Sequence, residues 1–231
     1  MTYLDSLDDS PILISIIMPV WQEEAINETI DSLIELARFN SQERKIKLEI
    51  IVVDGDPAGS TIQRLSPKQS KLAEDDTIAI RTAQAPQGRG QQLNAGARLA
   101  QGEILLFLHA DARLPAGALT TIAATLDDRT IAAGAFDLAI DSPRWILKLI
   151  ARVASWRSRL TRIPYGDQAI FIGRETFWAI GGYPQQPLME DVALMQALKR
   201  RRLGLQIQGD RVTVSARRWQ REGWLYCTLR N

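Results

Sequence analysis

Ile12–Val20 reads ILISIIMPV, a continuous apolar and β-branched run with a proline next to its end. A strand with one wet face alternates apolar and polar residues. An unbroken apolar run instead marks a strand covered on both faces, as in parallel sheets flanked by helices. Pro19 belongs near the end of such a strand, because proline donates nothing to a central ladder. Outward from this run, residues 22–38 place Ile26, Ile30, Leu33, Ile34 and Ala37 at helical spacing with charges between them. Residues 47–53 (KLEIIVV) form a second buried run, stopped by the breaker cluster Asp54-Gly55-Asp56-Pro57. A weaker strand is expected at 76–81, a short helix at 91–100, a strand at 103–108 and a helix at about 116–127. This alternation predicts an α/β fold with a mostly parallel, doubly wound sheet, whose ligands bind beyond the carboxyl ends of the strands. After about residue 140 the alternation stops. A basic helix over 143–160, a glycine-punctuated stretch over 165–182, a helix from about Asp191 and a strand over 205–215 are expected there.

A chain of 231 residues, 45% hydrophobic and 24% charged, suits one large α/β domain with a sizeable core. The expected organisation is a mobile acidic tail over 1–10 and a single domain over 11–231. Residues 1–140 hold 12 Lys/Arg against 20 Asp/Glu, whereas residues 141–231 hold 16 against 7. That asymmetry points either to an anionic partner for the second half or to basic helix faces in solvent. The single cysteine, Cys227, excludes an internal disulfide and fits a reducing compartment. The opening MTYLDSLDDS lacks the basic, apolar and small-residue succession of a secretory signal, and no apolar run is long enough to span a bilayer. The expected location is the cytoplasm, with peripheral contact at the inner face of the membrane as an addition. The last residues, 224–231, read as a helix cut short.

The standard chemical motifs are missing. Gly88-Arg89-Gly90-Gln91-Gln92-Leu93 starts like a dinucleotide fingerprint but has leucine for the third glycine. No GxxxxGK[ST] loop, zinc-spaced Cys/His set or GxSxG elbow occurs, which argues against P-loop phosphotransfer, zinc chemistry and serine hydrolysis. Carboxylates stand at the chain's turning points instead. Asp54 ends the second strand, Asp111 follows the strand within LLFLHAD, and Glu190-Asp191 open the helix DVALMQALKR. Any one of these serves equally well as a cap or turn former. Together they offer oxygen ligands for a hard divalent cation, and a base for an incoming hydroxyl.

The blocks SIIMPVWQEE, IIVVDGDPAGST, GRGQQLNAGARLAQGEILLFLHADARLP, GDQAIFIGRETFWAIGGYP and LMEDVALMQAL, in that order, resemble a family-2 glycosyltransferase of GT-A, Rossmann-like fold over about residues 12–219. HAD, PYGDQ and SARRW are most similar to the bacterial subgroup named for arsenosugar biosynthesis. The resemblance implies inverting transfer of a sugar from a nucleoside-diphosphate sugar to a hydroxyl acceptor, with Mn²⁺ or Mg²⁺ as cofactor. No nucleic-acid partner is expected, and a lipid-linked acceptor goes with the membrane reading of the helix over 143–160. The resemblance also implies a nucleotide-sugar-binding half over 11–140 and a basic, partly helical acceptor half over 141–231. It assigns Asp191 as general base with Glu190 beside it, and Asp111 as metal ligand. Pro19, Val20, Trp21, Glu23, Asp54, Arg89, Asn94, Gly181 and Gly182 fall to nucleotide-sugar binding. The family's DxD reads His109-Ala110-Asp111 here, so His109 is either a further ligand, an imidazole suiting Mn²⁺ better than Mg²⁺, or a structural side chain. The paired aspartates usual after the second strand are also missing, and oligomeric state is left open. Two alternatives stand beside this reading. One is a nucleotidyltransferase acting on sugar phosphates, although no glycine-rich, lysine-bearing loop follows the first strand. The other is a catalytically weakened relative that binds anions or membranes.

The helix PRWILKLIARVASWRSRL (143–160) carries Trp145, Leu149, Val153, Trp156 and Leu160 on one stripe, with Lys148, Arg152 and Arg159 along its edge. Packing of that stripe on the sheet or on another subunit is the expectation, with an anionic membrane as the alternative.

Overall fold

The computed structural model describes residues 11–40, 45–66, 77–186 and 188–222. The expected acidic tail, Cys227 and the terminal segment over 224–231 lie outside the described residues. The first part of the chain follows the sequence pattern. Strand β1 (Ile12–Val20) leads to α1 (Ile26–Asn40), β2 (Ile46–Asp54), a 3-10 turn (Ile62–Arg64), β3 (Ile78–Gln84), α2 (Arg89–Leu99), β4 (Ile104–Phe107), β5 (Ala112–Arg113) and α3 (Ala118–Asp127). Then come β6 (Ile131–Asp141), α4 (Trp145–Thr161), a 3-10 turn (Gly166–Gln168), β7 (Phe171–Gly173), α5 (Arg174–Ala179), α6 (Glu190–Arg200), β8 (Gly204–Ser215) and α7 (Arg217–Glu222).

One sheet runs in the order β3-β2-β1-β4-β7-β6-β8-β5. Its first four strands are parallel, with β1 between β2 and β4 as its unbroken apolar run requires. Side chains on β1 alternate between the two faces: Ile14, Ile16 and Met18 enter one core and Ile17 enters the other. Helices α1, α3 and α4 cover the first face, and α2, α5 and α6 the second. Pro19 lies beyond Ile17, the last β1 residue in register with β4, so its missing N–H breaks no ladder there.

Past β4 the sheet is mixed. Strand β7 is antiparallel to both β4 and β6, β5 is antiparallel to β8, and β6 and β8 run parallel. Strand β6 (IAAGAFDLAID) was not foreseen from the sequence, being rich in alanine and interrupted by glycine. Gly134 is required there because a Cβ would collide with the Phe171 ring. Helix α4 also corrects the expectation that its stripe from Trp145 to Leu160 packs on the sheet. Leu147, Ala151, Ser155 and Ser158 are buried, while Trp145, Leu149, Val153, Trp156 and Leu160 all point away from the sheet. The inward face uses small and hydroxyl side chains because two of them work as hydrogen-bonding groups. The Leu138 N–H donates to Ser155 Oγ at 2.8 Å, and Ser158 Oγ donates to Gln168 Oε1 at 2.5 Å.

Candidate active site

The carboxyl ends of β1, β2 and β3 open onto a cleft of about 360 Å³ lined by Trp21, Gly55, Asp56, Pro57 and residues 84–87. A second cleft of about 420 Å³ is lined by Arg89, His109, Asp111, Tyr165, Gly166, Asp167, residues 188–191, Val214, Arg218 and Trp219. Gln87 belongs to one and Arg89 to the other, so the turn into α2 stands between them. Gly88, with φ of 140°, makes that turn.

The second cleft gathers side chains from distant parts of the chain. Asp191 sits in the first turn of α6, nearly buried. Its Oδ2 accepts the Gly166 N–H at 2.6 Å and its Oδ1 the Val192 N–H at 2.7 Å, which fixes the plane of the carboxylate. A methyl group on Gly166 would lie 3.3 Å from His109 Nε2 and 3.4 Å from Asp191 Oδ2, so both side chains converge on this glycine. His109 is pushed down to about 3 by burial and by the charges of Arg89 and Arg218. Its imidazole is therefore neutral at ordinary pH and free to accept a hydrogen bond or bind a cation. Asp111 is raised by burial, partly offset by Arg217. Glu190 is buried with Oε1 3.3 Å from Arg89 Nη1; the ion pair is close, yet its geometry leaves that oxygen without a hydrogen bond.

Asp167 has a place in this cleft that the sequence reading did not give it. Burial and the neighbouring Asp191 charge push it up to about 6. Its 3-10 turn is held by Gln168, whose Nε2 donates to the Phe136 carbonyl at 2.9 Å and whose Oε1 accepts the Tyr165 N–H at 3.2 Å. The Arg157 guanidinium lies 3.4 Å over the Tyr165 ring, tying α4 to the same wall. Only the quoted block PYGDQ, with two polar side chains after a Pro-x-Gly turn, offered a signal for Asp167.

Other expected residues stand behind the surface. Asp54 is fully buried. Its carboxylate accepts N–H groups of Asp56 at 2.9 Å, Thr61 at 2.8 Å and Ile62 at 3.2 Å, so it folds the 55–62 loop and Asp56 becomes the carboxylate facing the cleft. Asp56 is lowered by the neighbouring Ser60 hydroxyl and by the Ala58 N–H, which it accepts at 3.1 Å. Asn94 lies inside, donating to the Tyr183 carbonyl at 2.7 Å and accepting the Tyr183 N–H at 3.0 Å. It thereby pins the Gly181-Gly182 turn, where φ is 99° and 67°. Asn94→Ala strands both Tyr183 backbone groups and is expected to lower stability by about 2 kcal/mol or more in urea denaturation. A loss below about 0.5 kcal/mol would show the turn to be held by other contacts. Gln92, another unforeseen residue, donates to the Val20 and Val53 carbonyls, both at 2.9 Å, joining the ends of β1 and β2. Val20 is thus a structural end point, while Trp21 lines the first cleft. Glu23 accepts from Arg217 Nη2 at 3.0 Å, tying the loop after β1 to α7 beside Asp111.

Among the described residues no group of three or more His, Cys, Asp or Glu could by itself hold a metal. Asp111 and His109 supply one carboxylate and one neutral imidazole on the same wall. That donor set fits a cation that arrives with phosphate oxygens and keeps its waters, rather than an all-protein cage.

No curated protein matches the sequence. Among solved structures the chain is similar to S. aureus TarS 1-349, with a TM-score of 0.63 and 16% identity over 89% of this chain and 61% of that one. TarS 1-349 in complex with UDP-GlcNAc gives 0.64 and 17% over 88% and 58%. The mannosyltransferase PcManGT from Pyrobaculum calidifontis, in complex with GDP-Man and Mn²⁺, gives 0.64 and 20% over 88% and 56%. The chain spans about three fifths of the length of these structures, and identities this low speak for the fold alone. Residues 15–181 match the family described as Glycosyl transferase family 2. That match runs from β1 to the glycine turn pinned by Asn94, and the chain belongs to glycosyl transferase family 2.

Proposed function

We propose that the two clefts form one donor–acceptor site for inverting, metal-assisted transfer of a sugar from a nucleoside-diphosphate sugar to a hydroxyl acceptor, in the cytoplasm. The observation that carries this reading is the convergence of Asp191, His109 and Asp111 on a single cleft at the carboxyl ends of the strands. In this reading the base and ribose occupy the cleft between Trp21 and Asp56, and the diphosphate lies near Asp111, with Arg89 and Arg218 as the neighbouring cations. Asp191 accepts the proton of the acceptor hydroxyl as it attacks the anomeric carbon, the diphosphate leaves from the opposite side, and one displacement inverts the centre. Asp111 and His109 would hold Mn²⁺ or Mg²⁺, which as a Lewis acid stabilises charge on the departing diphosphate. Glu190, paired with Arg89, orients that cation and the acceptor side of the cleft. The division into a donor half over 11–140 and an acceptor half over 141–231 follows the same line, since Asp167 and Asp191 both come from the second part, while Arg218 reaches back to the diphosphate.

The structures with UDP-GlcNAc and with GDP-Man and Mn²⁺ supply the donor classes to try. A thermal-shift screen of UDP-, GDP- and TDP-sugars with and without Mn²⁺ is the test. A donor at 100 times its Kd adds about 2.7 kcal/mol, which for a domain of this size raises Tm by roughly 5–10 °C. Release of nucleoside diphosphate on turnover supports glycosyl transfer, whereas release of pyrophosphate would replace it with nucleotidyl transfer. The resemblance to the arsenosugar subgroup adds an acceptor class to that assay. Its support is that the three blocks HAD, PYGDQ and SARRW all contribute to one cleft.

A further inference from the structure

Helix α4 has two apolar faces. Leu147 and Ala151 are buried against the sheet, with Ile146, Ile150 and Ala154 packed beside them. On the opposite side Trp145, Leu149, Val153, Trp156 and Leu160 are 73%, 46%, 55%, 66% and 70% exposed. At about 100° per residue these five fall within an arc of roughly 80°, and the two tryptophans stand about 16 Å apart along the axis. Such a stripe on the outside of a packed helix is an interaction surface rather than a core face.

We propose that this face seats the protein on an anionic bilayer surface, with the tryptophans at the headgroup boundary and a basic rim on the lipid phosphates. Charge complementarity selects this occupant. Helix α4 contains no Asp or Glu, and exposed Lys148 and Arg152 run along one edge of the stripe. Exposed Arg144 precedes the helix and exposed Arg162 follows it. Lys199 Nζ donates to the Thr161 carbonyl at 2.9 Å, which brings the exposed basic run 199–202 to the same end. Arg159 is the exception, being paired with Asp137 at 3.0 Å. Asp141 is an exposed carboxylate just ahead of the helix, and Asp210 another on β8. A second copy of the chain is the weaker fit. Antiparallel pairing of two α4 stripes about a two-fold axis sets Lys148 and Arg152 against their own copies, and the helix offers no carboxylate to meet them. Among the described residues no helix is long and apolar enough to cross a membrane, so the contact is one of lying on the surface.

The seat is linked to the cleft. Arg157 lies over Tyr165, and Ser158 is hydrogen-bonded to Gln168, so α4 is tied directly to the wall carrying Asp167. A bilayer under α4 therefore holds that wall at a set offset from the lipid surface. Binding itself is independent of which reaction the cleft performs.

Co-sedimentation of the full chain with vesicles, without donor, is the test. The protein should pellet with phosphatidylcholine–phosphatidylglycerol vesicles at low salt, stay in the supernatant with phosphatidylcholine alone, and be released as salt rises. Lys148→Ala with Arg152→Ala should lower partitioning about 25-fold, two cations at roughly fivefold each. Trp145→Ser with Trp156→Ser should lower it by more than about tenfold while leaving the thermal melt unchanged, since both rings are exposed. Wild-type protein remaining in the supernatant with anionic vesicles at low salt would overturn the proposal. So would equal binding to neutral vesicles, or a concentration-dependent dimer in sedimentation equilibrium that only the tryptophan variant abolishes.

Discussion

Asp191→Asn is expected to lower turnover by roughly 10²-fold or more while donor affinity stays near the wild-type value. The substitution keeps the shape of the side chain. Its amide oxygen can still accept the Gly166 N–H, which Asp191 Oδ2 takes at 2.6 Å, so the wall of the cleft remains in place. What disappears is the basic charge at the point where Gly166, His109 and Asp191 meet, together with the acceptor that Oδ1 offers the Val192 N–H. A thermal melt separates loss of chemistry from loss of fold. Asp167→Asn is the necessary companion, because burial beside Asp191 pushes Asp167 up to about 6, a value that also suits proton transfer. The large loss should fall on Asp191→Asn, with a smaller one on Asp167→Asn. Near-normal turnover in Asp191→Asn, or the larger loss in Asp167→Asn, would move the base to Asp167.

The second large effect is expected at Asp111. This carboxylate sits where the chain leaves β4 for β5, and among the described residues no other side chain hydrogen-bonds it. Burial disfavours its charge, with Arg217 only partly compensating, and a divalent cation would relieve that cost. Asp111→Ala should therefore abolish the Mn²⁺-dependent part of nucleotide affinity in calorimetry. His109→Ala should reduce it only in part, because a neutral imidazole contributes a ligand without charge. Equal Mn²⁺-dependent affinity in wild type and Asp111→Ala would remove Asp111 from metal binding.

The parallel half of the fold was legible chiefly from β1 and β2, whose apolar runs are rich in β-branched residues. Ile12–Val20 offers apolar side chains to both faces, and β1 lies between β2 and β4 with helices packed on each face. Strand β6 was not legible. Ala132, Ala133, Gly134 and Ala135 have weak strand preference, and their state is set by long-range pairing with β8 and by the Phe171 ring against Gly134. The site was half legible for a similar reason. Asp54 and Asp56 are two residues apart in DGD, and sequence does not say which turns inward. The backbone N–H groups of the 56–62 loop decide it, and they surround Asp54. Asn94 read as a binding residue, yet both ends of its amide meet the Tyr183 backbone, 89 positions away. The stripe on α4 was visible as periodicity. Its direction was not, because Ser155 and Ser158 look polar until their partners Leu138 and Gln168 are known.

The place of β8 in the sheet bears on how the chain is made. It lies between β6 and β5, next to the stretch that bears Asp111, but among the described strands it is the last to leave the ribosome. At about 5–20 residues per second, the sixty or so residues between β6 and β8 take roughly 3–12 s to synthesise. Throughout that interval β6 has an open edge, with Phe136, Leu138 and Ile140 unprotected by their later neighbour. Slow codons or ribosome stalling between residues 142 and 203 would lengthen the exposure of a strand primed to pair with another nascent chain. Synonymous slow codons over that stretch are therefore expected to lower soluble yield more than the same change upstream, where β1 and β2 close within one crossover. Equal yields from the two sets of codon variants would show the open edge to be harmless.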